Sequence, residues 1–340
     1  MSADLTRLVD LVESFPKQCV VLLGDFVADE YVFGEISRVS REAPVLILSH
    51  RQTQILPGGA ANAANNLADL GARVLPVSVV GDDAAGCALL DYFRGKRVET
   101  SGILCIPGWT TPTKTRFLAG WTHTTSQQVL RVDCQPTPPL PTRALRALEK
   151  KAHQRAQRAA ALLVSDYGCG VVNPALVRGL RARLVTLDSR FALLDYRSSR
   201  ITAATPNEPE LEALHHTRIA ANSAKLFDLG ARTLKQMRLQ ALVVTRGKDG
   251  MVVFERGRQP VSIPVYGSDQ AVDVTGAGDT VIAAFTLALA AGATFLEAAH
   301  LANYAGGIVV MKRGTATVTR DELLAAIRGE ATSPPASSSH

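Results

Sequence analysis

Short apolar runs of strand character alternate with helical segments along most of this 340-residue chain. Strands are predicted at 20–23, 74–80, 161–165, 184–187, 201–205 and 242–245, and helices at 60–70, 84–93, 174–183 and 221–238. Because parallel strands are joined through covering helices, this order predicts an α/β fold with a doubly wound, mostly parallel sheet. The hydrophobic fraction of 46% is sufficient for a large core.

Two strand-rich blocks interrupt this alternation, at about 32–49 and 112–133. The first alternates polar and apolar residues and contains Pro44, and the second is rich in Thr and Val, so we expect both to leave the main sheet and form a small β-strand lid. A hairpin is predicted within 251–265. One domain is expected over residues 1–328, followed by a disordered Pro/Ser-rich tail at 329–340.

Charge and composition exclude several classes of protein. The 37 Lys and Arg exceed the 31 Asp and Glu by only six, and the densest basic stretch, 143–158, has the spacing of a solvated helix face, so no nucleic-acid partner is predicted. The five cysteines form no CxxC pair, which argues against a zinc site. No apolar run reaches the ~20 residues of a membrane span, so we expect no membrane partner and a cytoplasmic protein.

The segment Asp273-Val-Thr-Gly-Ala-Gly-Asp279 stands directly before an apolar helix. Glycines ahead of a helix let backbone N–H groups converge on an anion, and the helix dipole adds positive potential there. A carboxylate beside an anion hole suits a phosphoryl group that moves to a hydroxyl held by that carboxylate, with Asp279 as general base. The alternative is an Asp that caps an ordinary glycine turn.

Three further segments carry candidate binding groups. Pro57-Gly-Gly-Ala-Ala-Asn62, together with Asp25 after the first strand, could form a polyol site or simply a glycine turn that opens a helix. Thr205-Pro-Asn-Glu-Pro-Glu210 could hold Mg²⁺ through water or cap a helix, and local evidence favours capping. Thr245-Arg246-Gly247 could contact nucleotide phosphates or form a hairpin turn.

In this order and at these separations, the segments resemble the ribokinase-like (PfkB) carbohydrate kinases over roughly residues 20–327. Within that family the stretches GDFVADEYVFGEISRVSREAPV, PGGAANAANNLADLGA and VSDYGCGVV are similar to the kinases of D-glycero-β-D-manno-heptose 7-phosphate. Those enzymes phosphorylate position 1 of the sugar in ADP-heptose and lipopolysaccharide precursor synthesis. The HxGH motif of the adenylyltransferase domain that many of them carry is absent, so we expect a kinase domain alone.

The resemblance implies an ATP-dependent kinase that uses Mg²⁺ and a monovalent cation, usually potassium. It implies that Asp279 is the base and that the anion hole is formed by Gly276, Ala277 and Gly278. It implies sugar or sugar-phosphate contacts at Asp25, Gly58, Gly59, Asn62, Lys114, Arg116 and Asp166. It implies nucleotide contacts at Asn207, Thr245, Arg246, Gly247 and Asn303. It implies a Mg²⁺ contact through water at Glu210 and a monovalent-cation site at Asp273, Thr275 and Gly314. The lid would close over the sugar and pair two subunits into a homodimer.

The sequence departs from the family pattern at three places near the sugar. Cys169 replaces the usual Lys of the SDYxKG pattern, Glu30 replaces an Arg, and the DPK segment reads Asp188-Ser189-Arg190. A phosphorylated sugar requires cationic partners, which Lys114, Arg116 and Arg190 could supply.

Three alternatives remain open from the sequence. The acceptor could be another sugar or a nucleoside, such as fructose, ribose or adenosine. The chain could instead be a non-catalytic sugar or nucleotide sensor on the same fold. A nicotinamide-dependent dehydrogenase would require GxGxxG after an early strand, where Gly24 stands alone.

Overall fold

Strands and helices alternate through the computed structural model, which describes residues 4–120, 127–219, 223–268 and 270–332. The strands are β1 (Cys19–Gly24), β2 (Phe26–Val39), β3 (Leu46–Gly59), β4 (Arg73–Gly81), β5 (Ile103–Ile106), β6 (Thr113–Gly120), β7 (Gln127–Cys134), β8 (Ala161–Asp166), β9 (Val185–Ser189), β10 (Ala203–Ala204), β11 (Ala241–Thr245), β12 (Met251–Glu255) and β13 (Val261–Ile263). The α-helices are α1 (Leu5–Glu13), α2 (Ala60–Asp69), α3 (Ala84–Gly95), α4 (Thr142–Ala156), α5 (Pro174–Gly179), α6 (Glu208–Leu214), α7 (Ser223–Gln236), α8 (Ala277–Ala290), α9 (Phe295–Val309) and α10 (Arg320–Thr332).

The main sheet has the order β13-β12-β11-β10-β9-β8-β1-β4-β5. Its strands from β11 to β5 pair in parallel, and β12 and β13 pair antiparallel at one edge. From the central pair, the chain runs outward through β4 and β5 on one side and through β9 to β11 on the other. Such a reversal opens a crevice at the carboxyl ends of the two central strands, where doubly wound sheets bind ligands.

Helices cover both faces of this sheet because alternate side chains of its central strands are apolar in both directions. On β1, Val20 and Leu22 belong to a core that includes α2, α8 and α9, whereas Val21 and Leu23 belong to a second core that includes α4 and α7. Each fully buried side chain of this kind contributes roughly 1.5–3 kcal/mol relative to an exposed one. The helix α8 is buried from Asp279 to Ala288, so its amino terminus is held rigidly.

A second sheet of the described residues has the order β3-β2-β6-β7. The strand β2 pairs antiparallel with β3 and parallel with β6, and β6 pairs antiparallel with β7. Because side chains alternate along a strand, one face carries charged groups and the other is apolar. Leu48, Phe117 and Leu130 line a groove on the apolar face, where Leu130 is 55% exposed.

The predicted fold class is confirmed, including the separate small sheet and the antiparallel hairpin of β12 and β13. The strands β2 and β3 extend beyond the predicted lid block and reach the main sheet at Phe26 and Gly59. The final helix runs to Thr332, past the predicted boundary at 328, and the predicted disordered residues 333–340 lie outside the described residues. Among the helices that the structure describes, none is long and apolar enough to cross a bilayer.

Candidate active site

A polar cleft lies between the charged face of the second sheet and the carboxyl ends of the main-sheet strands. It is lined by Asp29, Gly59, Lys114, Arg116, Arg131, Tyr167, Asp188, Arg190, Thr205, Asn207, Glu210, Thr245, Val274, Thr275, Gly276, Gly278 and Asp279. The cleft therefore contains the predicted base, part of the predicted anion hole and several predicted ligands of the substrates.

Asp279 is the third residue of α8 and is only 3% exposed. Its Oδ1 accepts a hydrogen bond from the Tyr167 hydroxyl at 2.6 Å, and its Oδ2 accepts one from Nδ2 of Asn62 at 3.0 Å. Burial raises the pKa of Asp279 to about 6, and these two hydrogen bonds limit the rise. Such a carboxylate is ionised at neutral pH yet binds a proton more readily than an exposed aspartate, as a general base requires.

The loop before α8 turns through Gly276, whose φ of 77° lies in the left-handed region. A Cβ atom at Gly276 would lie 2.4 Å from Nδ2 of Asn62, so both the turn and the close packing require glycine. The N–H of Ala277 donates to the carbonyl of Val274 at 3.2 Å, within the same turn. Gly276 and Gly278 of this loop line the cleft, and Ala277 lines a neighbouring cavity, so anion binding by the three residues stays a prediction.

Asp25 is completely buried and does not line the cleft. Its Oδ1 accepts the N–H of Val171 at 3.0 Å, and its Oδ2 accepts the N–H groups of Tyr167 and Cys169 at 2.8 and 3.1 Å. The predicted contact between Asp25 and a sugar is therefore corrected. Burial raises the pKa of Asp25 to about 6, although the three amides oppose that rise.

Asn62 has a different role from the predicted contact with sugar hydroxyls. Its Nδ2 donates to Asp279 and to the carbonyl of Gly276 at 3.3 Å, while its Oδ1 accepts from Asn66 at 3.2 Å. Because the side-chain amide is buried and both its nitrogen and its oxygen form hydrogen bonds, Asn62 orients the Asp279 carboxylate and the glycine turn.

Asp166 was also predicted to bind the sugar, and its contacts contradict this. Its Oδ1 accepts the N–H of Gly168 at 2.9 Å, and its Oδ2 accepts the hydroxyls of Tyr196 at 2.7 Å and Ser189 at 3.3 Å. The carboxylate stabilises the loops after β8 and β9 and does not line the cleft.

Asp29 occupies the place predicted for Asp25. Its Oδ1 accepts from Nη1 of Arg116 at 2.6 Å and its Oδ2 accepts from the Thr315 hydroxyl at 3.0 Å, with 5% of its side chain exposed.

Gly58, a predicted sugar contact, leaves room for this carboxylate, because a Cβ atom there would lie 2.5 Å from Oδ2 of Asp29. Asp29 is the second aspartate of GDFVADE, a signal present in the sequence. Its neighbour Glu30 accepts from the Thr115 hydroxyl and does not line the cleft.

A second cavity, here called the cationic cavity, adjoins the cleft. It is lined by Val27, Pro112, Thr113, Lys114, Arg131, Asp133, Cys134, Gln135, Tyr167, Cys169, Arg190 and Phe191. Lys114, Arg131 and Arg190 face both spaces. Arg131 pairs with Asp133 at 2.7 Å, whereas Lys114 and Arg190 have no carboxylate partner among the ion pairs of the described residues. Sequence reasoning did not identify Arg131 as a candidate binding residue.

The cations of this cavity repel one another. Burial lowers the pKa of Lys114, and the charges of Arg190 and Arg131 lower it further, while Asp29 opposes them. Burial raises the pKa of the Cys169 thiol to about 12, so it stays neutral. The cavity therefore offers a bound anion an excess of positive charge.

A third, mainly apolar cavity lies on the other side of α8. It is lined by Thr245, Gly247, Lys248, Gly250, Met251, Val265, Ser268, Ala271, Val274, Ala277, Gly278, Val281, Asn303, Gly306, Gly307 and Val310. Thr245, Val274 and Gly278 line both this cavity and the cleft, so the two spaces meet at the start of α8. Asn303 donates to the carbonyl of Pro264 at 2.8 Å. Lys248 was not predicted from the sequence.

Arg246 is not part of either space, although a nucleotide contact was predicted for it. Its Nε donates to Oε2 of Glu208 at 2.8 Å, so an ion pair holds the guanidinium against α6. This prediction is corrected, while its neighbours Thr245 and Gly247 line the apolar cavity as expected.

Asn207 and Glu210 form a capping box at the start of α6, as the local alternative predicted. Oε2 of Glu210 accepts the N–H of Asn207 at 2.9 Å, and Oδ1 of Asn207 accepts the N–H of Glu210 at 2.8 Å. Both residues also line the cleft together with half-buried Asp188. Burial, followed by the charges of Asp279 and Glu210, raises the pKa of Asp188 well above its usual range.

These carboxylates fit a divalent cation that arrives with phosphates. The described residues contain no cluster of three or more His, Cys, Asp or Glu that would hold a metal alone. Mg²⁺ usually keeps several waters and binds few protein groups, so a few carboxylates around a phosphate site are sufficient.

The residues predicted for a monovalent cation lie together. Oδ1 of Asp273 accepts the N–H of Thr275 at 2.9 Å, and Oδ2 accepts the N–H of Gly314 at 2.9 Å. Burial alone would raise the pKa of Asp273, but these hydrogen bonds bring it below its ordinary value. Cation binding here stays a prediction.

A buried carboxylate beside a helix amino terminus, in a polar cleft that meets an apolar cavity at that terminus, is the arrangement of a small-molecule kinase. The sequence matches the model of the pfkB family carbohydrate kinases over residues 20–126 and 183–322. The chain belongs to this family and is an ATP-dependent sugar kinase.

Several known proteins are similar to this chain. It is 39% identical over 314 residues to the bifunctional protein HldE of Geobacter sulfurreducens, covering 90% of this chain and 62% of that protein. It is 37% identical over 324 residues to HldE of Caulobacter vibrioides, covering 94% of this chain and 65% of that protein. The chain thus spans less than two thirds of the length of these relatives.

Solved structures of low sequence identity support the fold. Arabidopsis thaliana ribokinase complexed with ribose and ATP has a TM-score of 0.70 and 21% identity, covering 92% of this chain and 99% of that one. Phosphofructokinase-2 from Escherichia coli in complex with potassium has a TM-score of 0.73 and 17% identity, with the same coverage.

Proposed function

We propose that this sugar kinase transfers the γ-phosphoryl group of ATP to position 1 of D-glycero-β-D-manno-heptose 7-phosphate. The observation that carries the choice of a phosphorylated acceptor is the cationic cavity beside the cleft. A sugar phosphate brings close to two negative charges, which Lys114, Arg131 and Arg190 would neutralise. The identity of 39% to a relative named HldE supports the same substrate.

The cationic cavity also accounts for the departures from the family pattern. Cys169 supplies no charge, but it lies in the same cavity as the three cations. Glu30 does not line the cleft, so its negative charge is directed away from the sugar site. Lys114 and Arg190 have no carboxylate partner within the described residues, and a bound phosphate would relieve their mutual repulsion.

The reaction follows from the position of Asp279 in the cleft, next to Gly278, where the cleft meets the apolar cavity. The acceptor hydroxyl gives its proton to Asp279 while its oxygen bonds to the γ-phosphorus, and the bond from that phosphorus to the bridging oxygen of ADP breaks. The amides of Gly276 and Gly278 would stabilise charge on the moving group, helped by the dipole of α8. Mg²⁺, held by Glu210 through water, would neutralise the phosphates when it is bound.

The nucleotide would place its base in the apolar cavity. That cavity is lined by Asn303 and Val310 as well as by Thr245, Gly247 and Lys248. The phosphates would then reach the start of α8, where Thr245, Val274 and Gly278 line both the apolar cavity and the cleft.

The second sheet would form the lid and the subunit contact. Its charged face supplies Asp29, Lys114 and Arg116 to the cleft, and its apolar face has an exposed groove. We infer that a second copy of the chain covers this groove in a homodimer, because exposed apolar area on a single small sheet favours association.

ADP release tests the acceptor. The enzyme is supplied with ATP and heptose 7-phosphate, fructose 6-phosphate, fructose, ribose or adenosine, each with sodium or potassium. Turnover with heptose 7-phosphate is expected, and turnover with unphosphorylated acceptors alone would contradict the proposal.

The variant Arg190→Gln tests the cationic cavity separately. Loss of one charge-assisted contact should raise KM for the phosphorylated acceptor roughly 10- to 100-fold with little change in KM for ATP. Arg143→Gln removes an exposed arginine on α4 and is the matched control. An unchanged acceptor KM in Arg190→Gln would exclude this cavity as the phosphate site.

A further inference from the structure

We propose that Tyr167 is a positioning residue that fixes the Asp279 carboxylate for proton transfer, and that Asp25 holds Tyr167 in place. This inference rests on the proposed role of Asp279 as base. The Tyr167 hydroxyl donates to Oδ1 of Asp279 at 2.6 Å, the length of a strong hydrogen bond from a hydroxyl to a carboxylate. With Asn62 on the other oxygen, the carboxylate is held from two sides, and each oxygen can still accept a proton.

The loop after β8 places this hydroxyl. Asp25 accepts the N–H groups of Tyr167, Cys169 and Val171, so three amides of one short loop are tied to one buried carboxylate. Multiple hydrogen bonds to a charged group restrain a loop far more than a single contact does. The position of the Tyr167 backbone is therefore set at the carboxyl end of β1, at the centre of the main sheet.

The ring of Tyr167 is also confined. Nζ of Lys114 lies 5.0 Å from the ring centroid. On another side the backbone of Gly59 is so near that a Cβ atom added to it would lie 3.4 Å from Cδ2 of the ring. Tyr167 lines both the cleft and the cationic cavity. It thus connects the place of the acceptor's phosphate with the group that receives the acceptor's proton.

The charged groups around Asp279 come from several elements. Asp29 of β2 raises its pKa and Lys114 of β6 lowers it, while Asp279 and Asp188 of β9 repel one another. The hydrogen bond from Tyr167 lowers the pKa of Asp279. Removing the hydroxyl therefore raises that pKa further and leaves the carboxylate less restrained.

Tyr167→Phe removes only the hydroxyl, and Tyr196→Phe is its matched control. Tyr196 is fully buried, whereas Tyr167 is partly exposed, and the Tyr196 hydroxyl likewise donates to a carboxylate, that of Asp166, at 2.7 Å. We expect kcat to fall roughly 10- to 100-fold in Tyr167→Phe, with KM for ATP within about threefold of wild type. In Tyr167→Phe the acid limb of the plot of kcat against pH should move to higher pH. In Tyr196→Phe this limb should stay at the wild-type pH.

Wild-type kcat and an unmoved acid limb in Tyr167→Phe would overturn the inference. A loss of kcat at every pH without movement of the limb would also overturn it, because a purely structural role predicts that result.

A carboxyl titration by NMR separates this inference from the proposed function. The Asp279 signal is assigned with Asp279→Asn, and its pKa should rise in Tyr167→Phe even without any acceptor. If wild type releases no ADP with heptose 7-phosphate but this pKa rises, the substrate proposal fails and the Tyr167 contact stands. If the pKa is the same in both proteins, the Tyr167 proposal fails whatever the acceptor.

Discussion

Replacing the base with its neutral amide, Asp279→Asn, should make the protein more stable at neutral pH while removing activity. Burial raises the pKa of this carboxyl from 3.8 to about 6. The folded state therefore keeps the proton at a pH where the unfolded chain has lost it. This contribution to stability is complete below about pH 4 and disappears as pH rises through about 6.

The magnitude follows from the two pKa values. The difference between 3.8 and about 6 corresponds to about 3 kcal/mol of unfolding free energy, with no discount for solvent because the carboxyl is buried. Wild type loses about four fifths of this amount relative to Asp279→Asn between pH 4 and pH 8, and about half of it between pH 5 and pH 8. Effects of the substitution that do not depend on pH cancel because only the change with pH is compared. Neutralising Asp279 also lowers the pKa of Asp188, and this change adds to the difference in the same direction.

Urea unfolding followed by circular dichroism at several pH values between 5 and 8 measures this difference. Asp91→Asn is the control, since it makes the same replacement at an aspartate whose side chain is 72% exposed. Curves of stability against pH that run parallel for wild type and Asp279→Asn would refute the reasoning, because they would mean that burial does not raise the pKa of Asp279.

Two further substitutions test the turn at the anion hole and the apolar face of the second sheet. Gly276→Ala and Gly257→Ala both place a side chain at a φ of 77°, so each should lose about 1–2 kcal/mol of stability. Only Gly276→Ala should also lose most of its kcat, because a Cβ atom there would lie 2.4 Å from Nδ2 of Asn62, whereas a Cβ atom at Gly257 would have no neighbour within 4 Å. Equal kcat values for the two variants would contradict this expectation. Leu130→Glu should convert a dimer to a monomer in analytical ultracentrifugation, and wild-type protein that is already monomeric would exclude the proposed interface.

The main sheet was predictable because buried parallel strands leave a local signal. The strand predicted at 20–23 is β1 (Cys19–Gly24), and the helix predicted at 60–70 is α2 (Ala60–Asp69). The charged and apolar faces of the second sheet were harder to assign, because they depend on which strands pair. Arg131 became a cleft residue only through the pairing of β7 with β6.

The place of Asp279 at the start of α8 was predictable for the same local reason, since a glycine turn followed by an apolar helix can be recognised from consecutive residues. The partners of buried carboxylates were not, because they are distant in sequence. Asp25 binds the N–H of Tyr167, 142 residues away, and Tyr167 binds Asp279, 112 residues away. The family resemblance predicted a sugar contact for Asp25 and could not show that its oxygens accept three backbone N–H groups instead.

The most direct test of the account compares ADP release by wild type and Asp279→Asn with ATP and heptose 7-phosphate, alongside nucleotide affinity by calorimetry. A general base contributes roughly 100- to 10,000-fold to a rate. We therefore expect kcat to fall by that factor while Kd for ATP changes by less than about threefold, since Asp279 lies apart from the apolar cavity. An Asp279→Asn enzyme that keeps the wild-type kcat would contradict the claim that this carboxylate takes the acceptor's proton.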